Sequence, residues 1–192
     1  MKLVAEPPAG LRAGLRSAVA ACVTEETLDA VPHAQWRPVV LALCFAHAAL
    51  RERRAYGTLG FSAPYAWTHA DLRAALEFAR SALAADAARA AKRGGLAPVS
   101  WHALRYVALE VHHGSHAMDP HDARIVAAVG GHWLHAALAQ PDFAFARAYP
   151  LPASTELPAI HAAIDALPAV DDPAALGLGA HAEGVLLSLI HI

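Results

Sequence analysis

Apolar positions recur along this chain at intervals of three and four residues, and strand-type alternation is nearly absent. That pattern predicts an all-α chain. The clearest element begins near Pro38, a residue suited to a first helical turn because the N–H it lacks has no partner there anyway. Val40, Leu43, Cys44, His47 and Leu50 fall on one stripe, and Leu41 and Phe45 extend the apolar character almost all round. Such a helix belongs at the centre of a bundle. Arg51-Glu52-Arg53-Arg54 ends it, where cations suit the negative end of the dipole, and Gly57 offers a left-handed stop. The run reads as a solvated helix end, partly paired through Glu52, in preference to a basic patch.

The remaining elements follow by the same reasoning. Pro7-Pro8 opens a first helical stretch to about Ala21, and Thr24-Glu25-Glu26 reads as a polar connection. Gly57 to Trp67 is a loop that Phe61, Tyr65 and Trp67 should pin to the bundle. Thr68-His69-Ala70-Asp71 resembles a capping box with Asp in the usual place of Glu. It starts a third helix with Leu72, Leu76, Ala79 and Leu83 on one face and an Arg73–Glu77 pair on another, and Gly94-Gly95 ends it. A fourth helix starts near Pro98, runs through Trp101, Leu104, Val107, Ala108 and Val111, and closes at Gly114. Asp119, Pro120 and Asp122 predict the start of a fifth, with Ile125, Val129 and Trp133 on one face. Gly130-Gly131 within it permits a kink or close packing. After Pro141 short helical pieces alternate with turns, and a boundary is expected between Gln140 and Tyr149. Val185 to Ile192 reads as an apolar tail without a cap.

Composition narrows the function classes. The chain has 192 residues, enough for one domain or one plus a fragment at roughly 100–200 residues each. With 56% hydrophobic and 17% charged residues it can bury a core and does not read as disordered. A formal charge of −2 lacks the broad basic face of a nucleic-acid binder. The 13 histidines make that charge strongly pH-dependent below about 6.5. Two cysteines, Cys22 and Cys44, allow no disulfide framework, so a reducing compartment fits. The N-terminus lacks a signal peptide's apolar core. The longest apolar run, Val39 to Leu50, is 12 residues and contains His47, well short of the ~20 a membrane span needs. Lys2 and Lys92 are the only lysines, and neither follows a Gly-x4-Gly string, so no phosphate-binding P-loop is present.

Candidate chemistry is sparse. His112 and His116 stand i,i+4 beside His113, with His121 nearby, but the helical zinc motif needs Glu at its second position, and Gly114 interrupts the helix. A solvated His-rich turn is the expectation, and a zinc-binding turn on a stand-alone helical binding module is the alternative. Asp171-Asp172 before Pro173 reads as a helix N-cap in preference to a cation site. Cys44, mid-helix among apolar neighbours, reads as an inert core thiol. No Ser/His/Asp set stands out among so many histidines. The residues alone therefore describe an intracellular helical bundle without a catalytic centre.

The string from Trp36 to Phe61 carries more. Trp36-Arg37-Pro38, Leu43-Cys44-Phe45-Ala46-His47, Glu52-Arg53-Arg54 and Gly57-Thr58-Leu59-Gly60-Phe61 stand in order, followed by Pro64-Tyr65-Ala66-Trp67 and Asp71-Leu72-Arg73. This closely resembles the dynein heavy chain family near its C-terminal end. There an aromatic-basic start precedes Leu-Cys-Phe-Phe-His, Glu-Arg-Arg, Gly-Pro-Leu-Gly-Trp, Pro-Tyr-Glu-Phe and Ser-Asp-Leu-Arg. Glu6-Pro7-Pro8-Ala9-Gly10-Leu11-Arg12-Ala13 and Ala103-Leu104-Arg105-Tyr106 also match, as do Gly114, Asp119, Asp122, Arg124, Tyr149, Pro152, Leu167-Pro168, Asp172-Pro173 and Gly177-Leu178. Departures are Ala9 for Lys, Ala46 for the Phe before His, Phe61 and His121 for Trp, and His116 for Arg. Ser188 to Ile192 matches nothing expected there.

The resemblance implies the helical lid of the sixth AAA+ module, a module that binds no nucleotide, and so a fragment of a much longer chain with Met1 internal to its parent. Residues 1–30 would be a connecting helix from the AAA+ large subdomain, 31–145 the lid, and 146–192 the truncated start of the C-terminal domain. It implies no catalytic residue, cofactor or metal. The implied partners are neighbouring AAA+ modules, the intermediate and light intermediate chains of the dynein complex, and microtubules, with no nucleic acid or membrane. The loop after Gly57 leans towards axonemal dyneins, hence towards the cytoskeleton of cilia. Trp36, Leu43, Phe45, Trp101 and Trp133 are the expected core anchors.

Overall fold

A computed structural model describes residues 9–93 and 98–190. Its helices are α1 (Leu11–Cys22), α2 (Glu25–Asp29), α3 (Trp36–Arg53), α4 (His69–Arg93), α5 (Trp101–Arg105), α6 (Pro120–Trp133), α7 (Leu157–Asp165) and α8 (Ala182–Ile190). The all-helical architecture expected from the spacing is present. One short ribbon departs from it: β1 (Ala144–Ala146) pairs antiparallel with β2 (Tyr149–Pro150). Among the described residues no helix is long and apolar enough to cross a membrane.

α3 is the central helix. Every residue from Val39 to Leu50 is buried, and α1, α4 and α6 pack around it. α1 lays Leu11, Leu15, Ala18 and Val19 against the core. α4 contributes Leu72, Leu76, Ala79 and Leu83, the face its spacing predicts. Its entry is the expected box: the Asp71 carboxylate accepts from the Thr68 N–H at 2.7 Å and from the Thr68 hydroxyl. Asp119 caps α6 by accepting from the His121 N–H at 2.7 Å.

Four of the expected anchors are buried: Trp36, Leu43, Phe45 and Trp133. Trp101 is only half-buried at the rim. Phe45 stacks on Phe145 at 4.4 Å and meets the edges of Trp133 and Tyr149, so the ribbon closes directly over α3. The Trp133 indole N–H donates to the Phe145 carbonyl at 3.0 Å, fixing the ribbon to the end of α6.

Several local expectations are corrected. The Thr24-Glu25-Glu26 connection is the start of α2, because the Thr24 hydroxyl accepts from the Thr27 N–H and caps a short helix. Glu77 pairs with Arg80 instead of Arg73, which donates to the Ala21 carbonyl. The predicted fourth helix is α5 followed by a π-helical segment, Tyr106–Val111, and a 3-10 turn, Gly114–His116. The wider π turn rotates Val111 out into solvent and turns Leu109 inward. The apolar tail is helical as far as Ile190, within α8, and leaves Val185 and Leu187 exposed. Ile125 is only partly buried; Val126 and Gly130 take the inner positions of α6. Gly57 has a positive φ, 52°, but its ψ of −132° makes it a kink within the Arg54–Leu59 segment in place of the expected left-handed stop. Pro7-Pro8 and Gly94-Gly95 lie outside the described residues.

Candidate functional site

The most organised chemistry is a set of buried polar anchors on α3 and its neighbours. Arg53 is the first. It closes the buried stripe of α3 and is only 6% exposed, against the expectation of a solvated end. Its Nε–H donates to the Gly60 carbonyl at 2.9 Å. Its Nη1 donates to the carbonyls of Leu176 at 2.8 Å and Gly177 at 3.0 Å. The guanidinium carbon also lies 5.5 Å from the centre of the Phe61 ring, within cation–π range. Burial pushes its pKa down, while the field of Asp122 opposes the shift. Planar geometry lets one guanidinium bind three carbonyls on two segments at once, which a lysine ammonium cannot copy. The turn at Pro173–Leu176 presents two of those carbonyls because Gly177 sits at φ 69°, in the left-handed region.

Asp122 is the second anchor. It lies in the first turn of α6, buried, and receives the Ser62 N–H, the Ser62 hydroxyl and the Tyr65 hydroxyl, the last at 2.8 Å. Burial opposes its ionisation, but these donors outweigh burial and hold the carboxyl below the usual aspartate range. The loop is therefore gripped from both electrical ends: Arg53 takes the Gly60 carbonyl and Asp122 takes the Ser62 N–H. Phe61, between them, turns into the core against Tyr65 and Trp67, as expected.

The third anchor is a buried histidine pair. His47 of α3 and His113 after the π segment are each 0% exposed, with His47 Nδ1 3.1 Å from His113 Nε2. His113 Nδ1 lies 2.9 Å from the Ala108 carbonyl, which fixes it as the donor. The His113 backbone N–H bonds to Leu109 and that of His112 to Val107, so the π-to-α transition leaves the Ala108 carbonyl to the His113 ring. His113 Nε2 is then an acceptor, and His47 Nδ1–H must donate to it. The Trp67 indole N–H donates to the His113 carbonyl at 2.9 Å, locking the turn to the loop.

The His-rich turn is thus not simply solvated. His113 is core, His116 Nε2 is held by Asp71 Oδ1 at 2.9 Å, His112 is half-buried and His121 is exposed. Among the described residues no three His, Cys, Asp or Glu side chains converge as metal ligands, so the zinc-turn alternative has no support. Cys44 is buried, and burial drives its thiol pKa far up, which makes it inert. Asp172 caps the turn Pro173–Leu176 by accepting from the Ala174 N–H, as its position before Pro173 predicts. Asp171 does something else: it accepts from the Leu11 N–H at 2.6 Å and the Tyr149 hydroxyl at 2.9 Å.

One apolar cavity of about 40 Å³ lies among Leu15, Cys44, Phe145 and Ile164. A larger surface depression beside Trp36 and Arg73 has no nucleophile paired with a base.

A signal for Arg53 was present. Ala46, Leu50 and Arg53 continue one i, i+4, i+7 stripe, so the buried face runs through the charged motif. Asp171 has no comparable signal, since its partners are 160 and 22 residues away.

The chain matches the family described as dynein heavy chain AAA lid domain over residues 36–182. It is 34% identical to mouse dynein axonemal heavy chain 5 and 32% identical to human dynein axonemal heavy chain 8. It is 33% identical to the Chlamydomonas reinhardtii dynein-1-alpha heavy chain of the flagellar inner arm I1 complex. Each comparison covers 95% of this chain and 4% of the relative.

Proposed function

The chain belongs to the dynein heavy chain AAA lid family, and from that premise we propose that it is a mechanical lid segment of a microtubule-based, ATP-driven motor, with no nucleotide chemistry of its own. One observation carries the mechanical reading. A single buried core runs from α1 through α3 to the turn at Pro173–Leu176, and the Arg53 guanidinium ties the end of α3 to that turn. Close-packed interiors compress little, so such a body moves as a unit against its neighbours.

Residues 1–30, whose described part holds α1 and α2, then act as the connection from the AAA+ large subdomain, 31–145 as the lid, and 146–192 as the start of the C-terminal domain. Partners would be the neighbouring AAA+ modules of the heavy chain and, through that chain, the intermediate and light intermediate chains and microtubules. The axonemal and flagellar names of the relatives support a place in the cytoskeleton of the cilium. ATP hydrolysis would fall to other modules, consistent with the absence of a P-loop lysine here.

Isothermal calorimetry of the chain with Mg-ATP tests the division of labour. No binding heat is expected. Stoichiometric, micromolar binding would sink the reading.

A further inference from the structure

The segment from Asp165 to Gly177 crosses the bundle and touches both the first helix and the end of the central one. At its start, the Asp165 carboxylate pairs with Arg16 of α1. In its middle, Asp171 receives the first N–H of α1, at Leu11, and the Tyr149 hydroxyl of the ribbon. At its end, the Leu176 and Gly177 carbonyls receive Arg53 of α3. Its own Pro173, Ala175 and Leu176 are buried. No side chain of its own caps α1 at its N-terminus. The free N–H of Leu11 is satisfied by Asp171, and that of Gly10 by Glu52 of α3. Both carboxylates also suit the positive end of the α1 dipole.

We infer that this strap is a conformational coupling device: seated on Arg53, it sets the position of α1 against α3, and released from Arg53 it frees the start of α1. The strap supplies a remote cap, so the order of α1 depends on a contact at the far end of the segment. Arg53 is the sensor of seating. Its buried donors go to main-chain carbonyls, two of the three from the strap, so an unseated strap leaves the guanidinium short of acceptors. The mechanical meaning rests on the lid reading proposed above, because only there does α1 join the lid to a preceding module. The coupling itself stands on the contacts alone.

Hydrogen exchange on the 192-residue chain tests it. Coupled sites bias one another reciprocally, so perturbation at either end of the strap must be felt at the other. Arg53→Gln should speed exchange of the α1 amides from Leu11 to Leu15 by about tenfold, although the hydrogen bonds of Arg53 go to Gly60, Leu176 and Gly177 and not to α1. Asp171→Ala, which removes both acceptors, should speed exchange of the Arg53 Nε–H and the Gly177 amide by a similar factor. Arg80→Gln, which breaks an exposed ion pair on α4 away from the strap, should leave both unchanged, and the α4 amides should keep their rates in the Arg53 and Asp171 variants. If Arg53→Gln does not fold, Asp171→Ala still reads the coupling from the other side. Loosening confined to the mutated end, or spread evenly over the chain, would overturn the inference. Neither outcome bears on Mg-ATP binding, so the lid reading stands or falls separately.

Discussion

His47 Nδ1 and His113 Nε2 meet at 3.1 Å inside the core, and neither ring has any solvent exposure. Burial lowers the pKa of His47 to about 3, with repulsion from His113, Arg51 and His69 adding to it and Asp71 opposing it. Burial likewise lowers His113 to about 4, against the hydrogen bond to Ala108 and the field of Asp71, while His112 and His116 add repulsion. Both titrate near 6.5 in the unfolded chain. The unfolded state therefore binds more protons between about 6.5 and 4, and stability falls as pH falls through that window. The contribution of the neutral pair is complete above 6.5. The slope should be on the order of 1 kcal/mol per pH unit for each imidazole. Denaturant melts from pH 7.5 down to 5, with protonation confined to imidazoles, should show the loss; His113→Gln should flatten the slope by about half. Equal stability at both ends of that range would show that the pair does not control acid tolerance.

Gly130 and Gly131 should respond to alanine with opposite signs. A Cβ on Gly130 would fall 2.2 Å from Leu109 Cδ1 and 3.2 Å from its Cβ, so Leu109 has to shift within the core. Overpacking of this kind costs about 1–3 kcal/mol, more than the gain in helix propensity of up to about 1. A Cβ on Gly131 meets nothing within 4 Å, so Gly131→Ala should stabilise α6 by up to about 1 kcal/mol. Paired melts of the two variants decide it. Destabilisation by both would mean that the helix needs glycine flexibility at this point and not merely room.

Trp36 supports the junction between α2 and α3. It is 1% exposed, and its indole N–H donates to the Thr27 carbonyl at 2.7 Å. Trp36→Ala should cost about 3–5 kcal/mol, from lost burial and an orphaned carbonyl. Trp101→Ala should cost clearly less, because Trp101 packs on the rim. A loss below about 1 kcal/mol for Trp36 in denaturant melts would remove it from the core.

What could be seen in the sequence divides along a physical line. Elements governed by local periodicity were legible: α3 from its apolar run, the inner face of α4, the Thr68–Asp71 box, the Asp119 cap and the pinning of Phe61, Tyr65 and Trp67. The family itself was legible from the string between Trp36 and Phe61. Features decided by long-range partners were not. Arg53 reads as solvated until a strap more than a hundred residues away supplies its acceptors, and Asp171 reads as part of a cap until α1 arrives. The π segment was hidden for a different reason. One extra residue in a helical turn leaves the composition unchanged and alters only which side chains face inward, so His113 of the expected solvated turn is core while Val111 is exposed.

The grip of Asp122 on the Gly57–Trp67 loop gives the sharpest test of the polar anchors. Its carboxylate accepts from one N–H and two hydroxyls, all in or beside the core. Asp122→Ala leaves the Tyr65 hydroxyl, a buried group at 8% exposure, without this acceptor, and leaves the Ser62 donors to find water. The cost should be about 2–4 kcal/mol, since hydrogen bonds to a charged group are each worth about 1.5–3 net and part of the loss is recovered by solvent. Tyr65→Phe removes one donor and keeps the ring against Phe61 and Trp67, so it should cost only about 1–2 kcal/mol. The double variant should cost less than the sum, because the two residues share one interaction. A double-mutant cycle on the folded chain measures that coupling directly. Strict additivity would mean that the Tyr65–Asp122 hydrogen bond contributes nothing, and the loop would then be held by its aromatic residues alone.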